Sequence, residues 1–544
     1  MLPKIPYENG AARVPIMQYG GLDRRVGAGN GAITDMTNLT GNDVPVLSSR
    51  AKRKQTATLT NPRGITGVGS RLFYVEANKL YRDNAEDLST LPGTANAERS
   101  FAAMGNRLLI WPDKILTDIT TTGSYTALAA SVTQLCTFGD GTYAGEAAEG
   151  NTIYGPSGYD WSAMFKVGDG VTITGAADAE NNKTAIVREI SGNELRFYEN
   201  TFTVNSTARS VTVARTVPDL DFLCVNDNRV WGCKGDTIRC CKLGDPYNWN
   251  VFDGISTDAW SAETGTPGAF TGCISFMGYP IFFKEDRVFK VYGNKPTNFE
   301  VMSSATLGVL PGADKTLAVA GETLYYLSRA GFVRYNGGYP SRVDVALNAK
   351  YTTGAAGSDG RKYFVSALRD DNVREFLVFD PETGLWHKED DLAVKGFAHV
   401  GNAVYAQSAT ANTIVSAASS PTEASVESSV TFGDIDSVTI NRSTYTFSSK
   451  YPVRLWVRYE MEAKNVTENG ITTDTARLRV DTAYNGGAFA EVAALPSTNK
   501  TTQYLALPIK RCDRFQIRFR ANSAWKLHGM EIETRTERTN RKGG

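Results

Sequence analysis

Residues 221–252 read DFLCVNDNRVWGCKGDTIRCCKLGDPYNWNVF, and residues 273–299 read CISFMGYPIFFKEDRVFKVYGNKPTNF. Both stretches have one plan. A short apolar run meets a turn, Asn226-Asp227-Asn228 in the first and Met277-Gly278-Tyr279-Pro280 in the second. A second strand then leads to Lys234-Gly235-Asp236 or Lys284-Glu285-Asp286-Arg287, and a third strand follows. Alternation at Val230 and Gly232, and at Val288, Lys290 and Tyr292, suits half-buried antiparallel strands. Between the two units stands Gly244-Asp245-Pro246-Tyr247-Asn248-Trp249. Proline fixes φ and aspartate caps a turn through its side chain, so Tyr247 and Trp249 are presented at a bend.

Working outward, the same unit recurs. Residues 64–84 and 99–119 precede the pair, and residues 316–337, 361–390 and 396–417 follow it. Seven copies, most of them about 35 to 50 residues apart, have the period of β-propeller blades. A blade cannot hide both faces alone, and closing a ring of blades buries them without long free edges. The expected fold is all-β, a propeller of six to eight blades, because terminal copies can share one sheet. Residues 61–125 supply its first blades and residues 216–425 the others.

Composition agrees. The 544 residues are too many for one core. They include 24 Tyr, 24 Phe and 8 Trp to fill several cores, and 51 Gly to supply tight turns. No long window has the apolar period of a helix. Charge is balanced at 58 basic and 58 acidic side chains, which argues against a dedicated nucleic-acid binder. The seven cysteines lie mostly inside apolar strands and read as buried thiols of a protein made in a reducing cytoplasm. Adjacent Cys240 and Cys241 must point to opposite faces of their strand. No signal peptide and no membrane-spanning run is expected.

Three further pieces hang from the blades. Residues 1–60, rich in Gly and Pro, cannot fold alone and read as an extended strap. Their dense charge, Arg50-Ala51-Lys52-Arg53-Lys54, is either a solvated turn or a contact to nucleic acid or a partner. Residues 126–215 read as an inserted small β-barrel, with strands at 170–174, 184–190 and 194–198. Phe197, Tyr198 and Phe202 there suit a core as well as a stacking platform. Residues 426–535 alternate apolar residues with arginine and read as a β-sandwich with one dry and one wet face per sheet. Residues 536–544 are a basic tail.

Catalytic motifs are not apparent. Gly27-Ala28-Gly29-Asn30-Gly31-Ala32 has the outline of a dinucleotide loop, but no strand precedes it and no helix follows. Asp236, Asp286 and Asp359 are candidates for the paired carboxylates of a propeller glycosidase, each in a turn and none set apart from its neighbours. The segment from Asp380 to Trp386 is similar to the Asp-loop-Trp turn of many propellers, a folding device in which Asp bonds turn amides and Trp packs between blades. No cofactor, no metal and no enzymatic activity is expected.

The Gly244–Phe252 element, the run from Ile281 to Gly293, Leu307-Gly308 and Leu324-Tyr325-Tyr326-Leu327 together resemble the propeller proteins of short-tailed phages. That family comprises tail-nozzle and packaged-DNA stabilisation proteins, and the likeness spans most of residues 60–535. It implies a structural virion protein in a ring of six copies below portal and adaptor, docked to fibres, with double-stranded DNA passing through and no membrane involved. Gly244, Asp245, Pro246, Tyr247, Trp249, Asp380 and Trp386 would then be structural or interface residues. On this reading the strap crosses onto a neighbouring subunit, and removing residues 1–55 weakens the ring while sparing the propeller. The competing reading is a carbohydrate-binding or glycoside-hydrolysing propeller used for host adsorption.

Overall fold

The computed structural model describes residues 11–25, 31–417, 421–423, 426–435, 437–440, 443–446, 450–468 and 471–536. Gly27 to Asn30 and the tail arginines Arg538 and Arg541 lie outside them. Regular structure is β throughout, apart from five single-turn 3-10 segments among these residues. No described helix is long and apolar enough to cross a membrane, which says nothing of strands.

Among the described residues, seven four-stranded antiparallel sheets follow one another along the chain, the fold of a β-propeller. They fall into two compact units. The unit of residues 59–317 and 337–340 holds blades 1 to 4, which begin at Pro62–Val68, Ser100–Met104, Phe222–Asn226 and Gly272–Phe276. Blade follows blade through shared apolar cores. Phe73, Val75 and Leu80 meet Leu108 and Ile110 between blades 1 and 2. Leu109 and Trp111 meet Val230 and Trp249 between blades 2 and 3. Trp231 and Ile238 meet Phe282 and Phe289 between blades 3 and 4. Cys241 enters the second of these cores and Cys240 the third, the opposite faces that adjacency in a strand requires. Burial pushes the Cys240 thiol up to about 12.

The inserted domain belongs to this unit. Seven strands form one sheet in which Ala130–Tyr143 and Asn205–Arg215 are central and long. Its edge strands, Thr184–Ile186 and Glu189–Ser191, are separated by two residues only, so the sheet curls round until its edges meet, as in a barrel. Phe138, Ile153, Trp161, Phe165, Phe197 and Phe202 fill it. Phe197 and Phe202 are therefore core, while Tyr198 is exposed.

The other unit carries blades 5 to 7, the leader and the C-terminal sheets. Blade 7 has three strands from residues 394–417, and its fourth is Arg53–Thr58, paired antiparallel with Thr413–Ala417. The described leader residues lie along these sheets as short strands. Ala11–Ile16 pairs with Trp525–Thr536 in a six-stranded sheet that also takes Leu39–Thr40 and Leu47–Ser49. Ile33–Thr37 pairs with Ser428–Phe432 in the facing five-stranded sheet. The leader strands thus gain their backbone partners from larger sheets, as a segment unable to fold alone requires. The two sheets pack as the expected sandwich. Leu455, Val457, Phe515, Ile517, Phe519, Ile532 and the leader's Met36 and Leu39 are buried. Phe519 lies 6.1 Å from Trp525, ring to ring, across the sandwich.

Candidate functional site

Two junctions gather the polar residues singled out in the sequence. The first is the Gly244–Trp249 turn. Gly244 adopts φ of 71°, where a side chain would be strained. Asp245 accepts the Tyr247 amide at 3.0 Å and the Asn248 side-chain amide at 2.7 Å. The Trp249 indole donates to the Pro246 carbonyl at 2.9 Å, and its ring packs 6.3 Å from Trp111 of blade 2. So closed, the turn holds the insert. Asn248 donates to Asp169 at 3.0 Å and accepts the Gly170 amide at 2.9 Å. Arg215 pairs with Asp169 while its guanidinium lies 5.1 Å from the Tyr247 ring centre. Asp169, Arg215 and Asn248 are buried and mutually satisfied. Asp169 carried no local signal, being 79 positions from Asn248 in sequence, and neither did Arg215 at the far end of the insert.

The second junction belongs to the other unit, where the leader crosses blade 6. Trp386 packs on Phe379 at 4.8 Å and on Phe332 of blade 5 at 5.5 Å, and its indole donates to the Val343 carbonyl at 2.8 Å. Asp380 accepts the Glu382 amide at 3.0 Å and pairs with Lys362 at 3.4 Å. The Trp386 carbonyl takes the Leu22 amide at 2.6 Å. A Cβ on Gly21 would lie 2.3 Å from that carbonyl oxygen, so only glycine lets the leader approach.

Ion pairs complete the clasp. Arg24 forks onto Glu375 at 2.6 and 3.2 Å, and Tyr351 donates to the same carboxylate at 2.7 Å. Burial raises the Glu375 pKa, but the Arg24 and Tyr351 bonds outweigh it and hold the carboxyl below its ordinary range. Arg50 forks onto Glu423 at 2.7 and 2.8 Å, and Arg53 bridges Glu389 at 2.7 Å and Asp390 while stacking 4.9 Å from Phe376. Arg50 and Arg53 are therefore neither a solvated turn nor open to nucleic acid, since desolvated guanidinium groups need carboxylates. Lys52 and Lys54, on the same segment, are exposed.

A cleft of about 600 Å³ opens beside this clasp between blades 6 and 7. Phe364, Phe376 and Phe397 line it, with Asp359, Asp380, Glu382, Arg361 and Lys362 at its rim. Asp359 caps its own turn, accepting the amides of Arg361 at 2.8 Å and Lys362 at 2.6 Å. In the other unit Asp236 is the counter-ion of Lys284 at 2.7 Å, and Asp286 lies in the turn before the third strand of blade 4. Asp359 and Asp286 are thus turn residues and Asp236 the partner of an ion pair. Among the described residues no cluster of His, Cys, Asp and Glu has the arrangement of a metal site.

No family model matches the chain, and no curated protein matches it. Solved structures similar to it include BamB from Moraxella catarrhalis, with 12% identity and a TM-score of 0.34 over 67% of this chain and 97% of that one. A glycoside hydrolase matches at 9% identity and a TM-score of 0.19 over 89% of this chain and 99% of that one. An exo-β-1,3-galactanase from Phanerochaete chrysosporium matches at 10% identity and a TM-score of 0.16, covering 88% of this chain and 100% of that one. Likenesses this distant carry no argument about activity.

Proposed function

We propose that the chain is a structural protein of a tailed-phage particle. It is a nozzle-type tail or neck component that assembles as a ring of six copies around the path of the leaving genome. The ring meets portal, adaptor or fibre proteins at its two ends. The observation that carries this reading is where the charged groups go. Side chains 351 to 373 positions apart are tied by ion pairs that bind the leader to blade 6 and to the segment after blade 7, and the turn most like the phage family fastens the insert. Such an arrangement suits a part that bears load. Balanced charge fits as well, because a strongly basic lumen would hold the phosphates of passing DNA.

Light scattering of the purified chain, with negative-stain images of the same sample, tests the proposal. Annular particles of several times 59.1 kDa are expected. A monomer at all concentrations would overturn the ring and favour the adsorption propeller instead.

A further inference from the structure

The insert and blade 3 frame a second cleft, of about 480 Å³, between residues 183–186, 197–201 and 250–253. Two rings stand open at it, Phe252 at 59% and Tyr198 at 47% exposure. Both are held. The buried carboxylate of Asp258 accepts the amides of Asp253, Gly254 and Ile255 at 2.6 to 3.1 Å, fixing the loop that bears Phe252. The Arg188 guanidinium lies 3.6 Å from the Tyr198 ring centre and pairs with Asp253 at 2.7 Å, locking one ring's support to the other's loop. A rigid, solvent-facing aromatic pair is pre-organised for a ligand with a flat apolar face.

The remaining lining decides which ligand. Thr184, Asn200, Thr201 and Asn250 bring hydroxyl and amide groups. The Thr184 hydroxyl meets Thr172 at 3.0 Å, the Thr201 hydroxyl donates to the Tyr198 carbonyl at 2.6 Å and the Asn250 amide donates to Thr216 at 2.7 Å, which leaves their oxygens able to accept. Of the cations, Arg188 is neutralised by Asp253, whereas Lys183 donates to the Thr201 carbonyl at 2.7 Å and keeps its charge. A phosphate backbone would find the single charge of Lys183, too little to hold consecutive phosphates, whereas a polyhydroxylated ring finds a stacking face and neutral hydrogen-bonding partners. We propose that this cleft binds a neutral oligosaccharide between Phe252 and Tyr198. The proposal stands apart from the ring reading, and either can fail without the other.

The test is binding of the full chain to an array of immobilised bacterial surface oligosaccharides, neutral and acidic, beside Phe252→Ala and the double variant with Tyr198→Ala. Selective binding to neutral members is expected, about tenfold weaker in Phe252→Ala and lost in the double variant. Phe252 is mostly exposed, so the single variant should melt with the parent and stay informative if the double variant does not fold. Absence of binding across the array, binding to acidic members alone, or binding untouched by Phe252→Ala overturns the proposal. Capture of a dT20 oligonucleotide that the same substitution weakens overturns it too.

Discussion

The ammonium of Lys284, its side chain 1% exposed, is held in blade 4 by Asp236 at 2.7 Å and by the Thr266 carbonyl at 2.6 Å. Phe270 and Phe289 flank it. Removing the counter-ion strands a buried cation, and Asp236→Asn should lower stability by about 2–3 kcal/mol, less than a fully buried pair because the carboxylate is partly solvated. Urea denaturation of parent and variant measures this. His387 supplies a pH dependence. It is buried against Gly41, and desolvation followed by repulsion from Lys362 lowers its pKa to about 4 from 6.5. Between those values the unfolded chain binds the additional proton, so stability falls as pH drops through 6.5 and the loss levels off near 4. The full loss is about 3 kcal/mol. Glu375 and Glu423, held below the ordinary carboxylate range, add a further loss as pH falls below that range. Thermal melting from about pH 7 to about pH 3 should show the first decline, and His387→Gln should flatten it while leaving the second.

At the level of elements, Asn248 is the tie between blade 3 and the insert. Asn248→Ala leaves Asp169 and the Gly170 amide short of partners and should cost about 1–3 kcal/mol. Limited proteolysis should then release the insert at its two connections to the blades faster than in the parent. Deleting residues 1–55 should do more than loosen an assembly, because it takes half of the outer strand from blade 7 and strands from both C-terminal sheets. Loss of the β-sheet circular dichroism of that unit is the expected result, and a fully folded truncation would count against the pairing. The blades were legible because their strands alternate and their turns carry Asn, Asp and Gly, as in Asn226-Asp227-Asn228. Fourth strands such as Glu300–Ala305 were not, being exposed edges with little apolar content. Nor was Arg53–Thr58, a polar segment that becomes a strand only because Thr413–Ala417 has an open edge for it. The roles of Asp380 and Trp386 could be read from a local turn. Those of Arg50 and Arg53 could not, because their carboxylate partners are 336 to 373 positions away.

Across the whole molecule, the early residues depend on the late ones. Val14, Ile16, Ile33, Met36 and Leu39 are buried in sheets completed by strands from residue 428 onward. A chain ending at residue 425 should therefore aggregate, as followed by sedimentation of the expressed product, whereas one ending at 536 should stay in the supernatant. The ion pair beside the strand that completes blade 7 sets a timetable for synthesis. Arg50 leaves the ribosome 373 codons ahead of Glu423. At elongation rates of about 5 to 20 residues per second it waits roughly 20 to 75 s for its partner. For that interval the nascent leader has no sheet to join, and a chaperone that shelters it would decide the yield of finished chains.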